Sequence, residues 1–357
     1  MNSLESQLEY PFGEALPELG SVKQIVPGVF WLRMALPFAL DHINLWLLED
    51  EVRTDAGIQR GWTIIDCGLG NDATREAWES IFANCLKGLP VLRVIATHYH
   101  PDHLGLSDWL CQRWDVRLWM SAADYGMGRL MSAGLPGADG FAVLEHYERH
   151  GVRDPAVLDQ LRGRRSHYPS LVPAVPHSYR RIHAGMQIVI GKHKWKVYVG
   201  HGHSPEHVSL HCAKLGLLIS GDMLLPRIST NISVNAVEPE SNPVQLFLDS
   251  LARYHELPAS TLVLPSHGKP FRGMHTRIAQ LNQHHRERLA EVLEACTSAP
   301  RSAADIVPIM FRRALDAHQL TFALGEALAH LHKLWFDGLL RRQTDSDGII
   351  RFAALTQ

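Results

Sequence analysis

The chain has 357 residues, 46% of them hydrophobic and 20% charged, with a formal net charge of −2. That balance excludes a disordered or collagen-like chain and gives no overall bias toward nucleic acid or an anionic membrane surface. Its five cysteines (Cys67, Cys85, Cys111, Cys212 and Cys296) form no CxxC pair, which excludes a disulfide framework and a cysteine-type zinc knuckle and fits a reducing, cytoplasmic setting.

The first twenty residues, MNSLESQLEYPFGEALPELG, are acidic and lack the basic and apolar regions of a signal peptide. No apolar run reaches the roughly 18 residues of a membrane-spanning helix. Residues 21–48 predict two strands, "QIVPGVFWLRM" and "INLWLLED", with a turn at Pro27-Gly28. "GWTIIDCGLG" reads as a strand entering a glycine-rich turn, and "DATREAWESIFANCL" has helical spacing through Ala73, Ala77, Trp78, Ile81 and Leu86. "VLRVIATHYH" reads as a buried strand that stops at a histidine cluster. Residues 121–185 break the rhythm and read as an inserted helical segment. Strands resume at "QIVI", "WKVYVGHGHS", "VSLHC" and "GLLISGDM", and "TLVLPSHGKP" is the last. From about residue 275 the periodicity is helical, with Ile278, Leu281, Leu289 and Val292 on one face. "SAAD" at 302–305 is a helix-start box, Leu324, Leu328, Leu331 and Trp335 repeat at helical spacing, and "DGIIRF" is a closing strand. Helix, helix, helix, hairpin is the outline of a winged helix.

Histidine is abundant, with 22 copies, and imidazole is the commonest protein metal ligand. "ATHYHPDHLG" places His98, His100, Asp102 and His103 within six positions. In an extended strand, side chains two apart point the same way, so His98 and His100 can reach one ion. Asp102 and His103 follow in the turn and can reach a second. Imidazole and carboxylate donors suit zinc, iron or manganese. His203, Asp222 and His267 each follow another apolar strand, where a loop-built site belongs.

HxHxDH, GHSPEH, GD and SHG, in this order, resemble the metallo-β-lactamase superfamily over about residues 21–272. The resemblance implies a four-layer αββα sandwich with the site at one rim of two sheets. It implies a catalytic domain over 1–272, with the helical insertion at about 121–185, and a C-terminal winged-helix-like domain over 273–357. Carried over by position, it puts His98, His100 and His203 on one metal and Asp102, His103 and His267 on a second, with Asp222 bridging. Asp66 would orient the ligand loop and His207 would support the site. The cofactors implied are two divalent ions, zinc first, with iron or manganese as alternatives. Asp222 at the bridging position and the absence of a signal peptide disfavour antibiotic hydrolysis. The pattern resembles the glyoxalase II-like branch, in hydrolases with an appended winged helix.

The expected activity is hydrolysis of a small anionic acyl substrate, a thioester such as an acyl-CoA or an ester. Asp102 and Asp222 are the catalytic candidates, Asp102 as the group that moves a proton. A lactonase and a metal-dependent endoribonuclease are alternatives, and a winged-helix DNA-binding regulator ranks last. Residues 160–200 contain no acidic residue and eight basic ones: Arg162, Arg164, Arg165, Arg180, Arg181, Lys192, Lys194 and Lys196. Such a block offers a landing surface for an anion or is a solvated face. Arg164, Arg165, Tyr99 and Tyr168 are the substrate-contact candidates, while His284 and His285 read as surface residues. Nothing points to a membrane, RNA stays open as a partner, and either a monomer or a homodimer is consistent with the chain.

Overall fold

The computed structural model describes residues 4–55, 57–138, 140–162 and 167–355. In chain order, a 3-10 turn at Glu5–Gln7 precedes strands β1 (Lys23–Val26), β2 (Val29–Ala35), β3 (His42–Thr54) and β4 (Gly57–Ile65). Helix α1 (Asp72–Asn84) leads to β5 (Val91–Ile95), α2 (Pro101–Leu104), α3 (Ser107–Trp114) and β6 (Leu118–Met120). Four helices follow, α4 (Ala122–Ser132), α5 (Gly140–Arg149), α6 (Pro155–Arg162) and α7 (His167–Leu171), before β7 (Tyr179–Arg181). Then come β8 (Gln187–Ile190), β9 (His193–Gly200), β10 (His207–Cys212), β11 (Leu217–Gly221), α8 (Pro243–Ala252), a 3-10 turn at Arg253–Glu256 and β12 (Leu262–Pro265). The chain closes with α9 (Met274–Ser298), α10 (Ala303–Met310), α11 (Ala317–Phe336), β13 (Leu340–Thr344) and β14 (Ile350–Ala354).

One sheet has the order β1-β2-β3-β4-β5-β6-β7 and the other β12-β11-β10-β9-β8. Alternation along β3 shows why the two sheets stack. Trp46 and Leu48 join Trp31, Ile65 and Ile95 against Trp195, Val197, Val208 and Ile219 of the second sheet. Leu45 and Leu47 point the opposite way, into a core with Trp78 and Ile81 of α1 and Leu110 of α3. A strand buried on both faces needs helices outside both sheets. On the second sheet the cover is α8 and the C-terminal helices, through Leu218, Val263, Phe247, Leu251, Ile278, Leu281 and Leu328. The layers are therefore helix, sheet, sheet, helix, as expected.

Several local readings change. Residues 21–48 form three strands, because the Pro27-Gly28 turn parts β1 from β2 before β3 begins. The 121–185 segment holds four helices, and its last part returns to the first sheet as β7, parallel to β6. The chain ends with α9, α10, α11 and the β13–β14 hairpin, and α10 starts with the expected capping box at Ser302. The C-terminal helices share one continuous hydrophobic cluster with α5, α6, α8, β11 and β12. No helix among the described residues is long and apolar enough to cross a membrane.

Candidate metal centre

The site is built at strand ends along one rim of the two sheets. Beyond β4, Asp66 takes a left-handed backbone conformation (φ 66°), which aspartate tolerates better than most residues. Its carboxylate accepts hydrogen bonds from Thr97 N (2.7 Å), Thr97 Oγ1 (3.0 Å) and His103 Nδ1 (2.9 Å). The loop after β5 is thereby pinned to the end of β4. This loop corrects one expectation. Strand β5 stops at Ile95, so His98 and His100 are not alternating strand residues. They meet because the loop turns before Pro101 starts α2, with His100 at the N-cap position but its side chain free of any capping bond. Asp102 and His103 then lie on that single helical turn.

Two donor groups result. His98, His100, His203 and Asp222 offer ligand atoms all within 4.8 Å of one another, as do Asp102, His103 and His267. In the first group His98 Nε2 lies 2.9 Å from His100 Nδ1 and 3.1 Å from His203 Nε2. In the second, His103 Nε2 lies 3.6 Å and His267 Nε2 3.4 Å from Asp102 Oδ2. Asp222 faces both groups. Its Oδ2 is 3.3 Å from His203 Nε2, and its Oδ1 is 3.5 Å from both His103 Nε2 and His267 Nε2.

The outward nitrogens explain the inward ones. His203 Nδ1–H donates to the Asn231 carbonyl (2.7 Å), His267 Nδ1–H to the His42 carbonyl (2.8 Å) and His103 Nδ1–H to Asp66. A neutral imidazole carries one N–H, so each of these rings turns a lone pair inward. Lone pairs a few ångströms apart in a buried site repel unless positive charge, a proton or a metal cation, sits among them. Buried His103 Nε2 and Asp222 Oδ1 have no hydrogen-bond partner, an arrangement that native structures rarely leave uncompensated. The donor set therefore fits divalent cations. Outward partners of this kind fix ligand tautomers in metal sites.

Electrostatics follow the same division. Burial, then the neighbouring histidines, holds His98 well below the usual imidazole pKa and brings His100 down to about 3. Burial also opposes charge on His267, but the Asp222 and Asp102 carboxylates outweigh it and raise the pKa to about 10. Asp222 is held well below the ordinary carboxylate range: burial works against this, and His267 and His103 overcome it. The first group thus has three imidazoles and one carboxylate and the second two imidazoles and one carboxylate, with Asp222 facing both.

Asp222 is positioned from behind. Its backbone N–H donates to His207 Nε2 (3.0 Å), and its carbonyl accepts from Thr230 Oγ1 (2.5 Å). Gly221 has φ 54°, and a Cβ there would lie 2.4 Å from the His207 ring. His207 thus lies behind Asp222, where a supporting residue was expected. Sequence reasoning missed Thr97, Asn231, His42 and Asp124. Fully buried Asp124 accepts from Tyr99 N (3.0 Å) and Glu206 N (2.6 Å), so it joins the two histidine loops.

The substrate-contact candidates are dispersed. Arg164 and Arg165 lie outside the described residues. Tyr99 is 8% exposed and packs in the first sheet's helical core, with its ring 4.7 Å from His100. Tyr168 donates its hydroxyl to the Tyr99 carbonyl and packs against its ring. The other basic residues of 160–200 are spread over α6, β7 and the β8–β9 hairpin. Arg162 pairs with Asp159, and Lys196 lies over Tyr198. Arg180 stacks on Trp119 beside Arg93 and Arg117, in a cleft of about 490 Å³ that contains no residue of the two donor groups. His285 is a correction. It is 1% exposed, between Phe247 and His330, because α9 is packed on both sides rather than lying on the surface.

Residues 44–267 match the family model described as metallo-beta-lactamase superfamily, and residues 289–355 match that described as metallo-beta-lactamase-like, C-terminal domain. A probable metallo-hydrolase of Bacillus subtilis (strain 168) is 24% identical over 318 residues, covering 86% of this chain and 92% of that protein. The crystal structure of a beta-lactamase domain protein from Burkholderia ambifaria superposes with a TM-score of 0.93 at 57% identity, covering 99% of this chain and 100% of the other. A metallo-beta-lactamase family protein from Thermus thermophilus gives a TM-score of 0.76 at 26% identity, covering 93% of this chain and 100% of the other.

Proposed function

The chain belongs to the metallo-β-lactamase superfamily, and from that premise we propose that it is a hydrolase of a small anionic acyl substrate, a thioester before an ester, using two divalent ions. The observation that supports this best is Asp222, with one carboxylate oxygen toward each donor group. His98, His100 and His203 would hold one ion, Asp102, His103 and His267 the other, and Asp222 both. Zinc suits this donor set first, with iron or manganese next. Ions so placed supply Lewis acidity toward a carbonyl oxygen and acidify water near neutral pH.

The chain's own residues do the rest. Asp66, Asn231 and the His42 carbonyl hold ring nitrogens in the tautomer that leaves a lone pair inward. Tyr168, with its hydroxyl on the Tyr99 carbonyl, would brace the His98–His100 loop. Asp102, 18% exposed at its side chain and adjacent to His267, would accept and return a proton. A thiolate leaves without strong acid assistance, which suits a site whose other titratable groups are occupied as ligands. The regulator reading is disfavoured by α11. Its one Lys or Arg, Lys333, pairs with Asp337, whereas a helix in a DNA groove draws its affinity from several phosphate contacts.

The test is free-thiol release from a panel of acyl-CoA and acyl-glutathione thioesters, with metal-quantified protein and Asp222→Ala as blank. Turnover that disappears with metal in Asp222→Ala is the expected result. Turnover retained by Asp222→Ala with its metal bound sinks the assignment, and silence across the panel moves the substrate to lactones and then RNA.

A further inference from the structure

After Asp222 the chain runs to α8 without regular structure, and the C-terminal helices hold this connection at several points. Arg277 of α9, 4% exposed, donates to the Leu225 carbonyl (2.7 Å) and the Ile228 carbonyl (2.8 Å). His332 of α11 donates through Nδ1 to the Ser241 carbonyl (2.9 Å). Between these anchors, residues 230–234 touch the site twice. Thr230 Oγ1 donates to the Asp222 carbonyl, and the Asn231 carbonyl accepts from His203 Nδ1.

That short stretch is itself seated on α11. Val234 N donates to the Gly325 carbonyl (3.3 Å), and Ser233 Oγ donates to Asn231 Oδ1 (2.9 Å). Glycine inside a helix is unfavourable relative to alanine, so its presence at 325 needs a reason. The reason is contact: a Cβ on Gly325 would lie 2.5 Å from Ser233 Oγ and 2.7 Å from Ser233 Cβ. The missing side chain lets the 230–234 segment lie directly on the helix backbone.

We propose that α11, through the close approach of Gly325 to Ser233, is a positioning element for the metal centre, setting the Asn231 carbonyl that orients His203 and the Thr230 hydroxyl that holds Asp222. Gly325 and Thr230 are positioning residues and touch no substrate. This gives the C-terminal unit a role in metal affinity as well as in folding. The inference rests on the metal-centre reading above.

The experiment measures zinc affinity by chelator competition, and the visible spectrum of the cobalt-substituted protein, for wild type, Gly325→Ala and Gly325→Ala/Ser233→Gly. Gly325→Ala is expected to weaken zinc binding about tenfold and to alter the cobalt spectrum, the scale seen when partners behind a ligand are disturbed. Ser233→Gly removes the atoms that the new methyl meets, so the double variant is expected to return to within about threefold of wild type, the coupling expected of residues in contact. Wild-type affinity and spectrum in folded Gly325→Ala, or a double variant as weak as the single, would overturn the proposal. If Gly325→Ala does not fold, Thr230→Val decides: weakened zinc binding supports the positioning role, and unchanged binding overturns it. A wild-type protein that takes up no zinc or cobalt overturns the metal-centre reading itself and the proposal with it. That outcome is recognisable because wild type, not the variant, fails.

Discussion

The tetrapeptide Ser-Ala-Ala-Asp occurs at 121–124 and again at 302–305, and the two copies do different things. At 302–305 it forms a capping box. Asp305 accepts from Ser302 N (2.8 Å), and Ser302 Oγ accepts from Asp305 N (3.3 Å), with Asp305 exposed. At 121–124 the serine again precedes a helix but makes no such bond to the helix N-terminus. Asp124 turns inward, fully buried, and receives the Tyr99 and Glu206 amides instead. Burial pushes its pKa up to about 6, against the pull of those amides. The local propensity to start a helix is the same in both places. What differs is that the first copy lies where two ligand loops pass, with unpaired amides to satisfy.

The largest expected effect breaks the first copy. Asp124→Ala leaves two buried amides unpaired and unties the loops carrying His100 and His203. Metal affinity should fall by about 10- to 100-fold, measured by chelator competition. An unchanged affinity would reduce Asp124 to a helix-start residue like its counterpart. The matching change in the second copy should be milder and of another kind. Asp305→Ala, which removes the N3 half of the capping box, should cost about 1 kcal/mol of stability, read in a thermal melt, and leave metal affinity alone. Any loss of metal there would mean that the comparison is drawn too sharply.

The smallest effect sharpens the second region through pH. The His150 carbonyl accepts from Ala304 N beside that capping box, and His150 is 2% exposed. Burial first, then His146 and His332, lowers the His150 pKa to about 2, and His146 is lowered to about 4. These folded-state values lie below the ordinary imidazole value, so as pH falls the unfolded chain takes up the proton first. Their contribution is complete above about pH 6.5 and is lost as pH falls below it toward the folded-state values. His150→Leu should therefore shrink the drop in Tm between pH 7 and pH 5. An unchanged drop would place the acid sensitivity elsewhere.

The positions of the seven donor residues were legible because each follows an apolar strand or sits in a compact motif. The fold was legible for the same reason, through the alternation along β3 and the helical spacing of α9 and α11. The reason His98 and His100 converge was not legible, because the strand ends at Ile95 and the turn is set by Asp66 and Thr97, remote in sequence from each other. Asn231 and the His42 carbonyl act through backbone oxygens, which carry no residue signature. Asp124 had a signal, the capping-box pattern, but that pattern points to a different role. His285 looked like a surface residue on a charged helix, and only the packing of α8 and α11 around α9 buries it.

The most direct test of the account is the number of divalent ions per chain in wild type and in Asp222→Ala, counted by elemental analysis on the same samples assayed for thiol release. The account predicts two ions in wild type, loss of both metal and turnover in the variant, and thiol release only where metal is present. Wild type that turns over thioester without metal, or a variant that keeps both ions and full turnover, would contradict it.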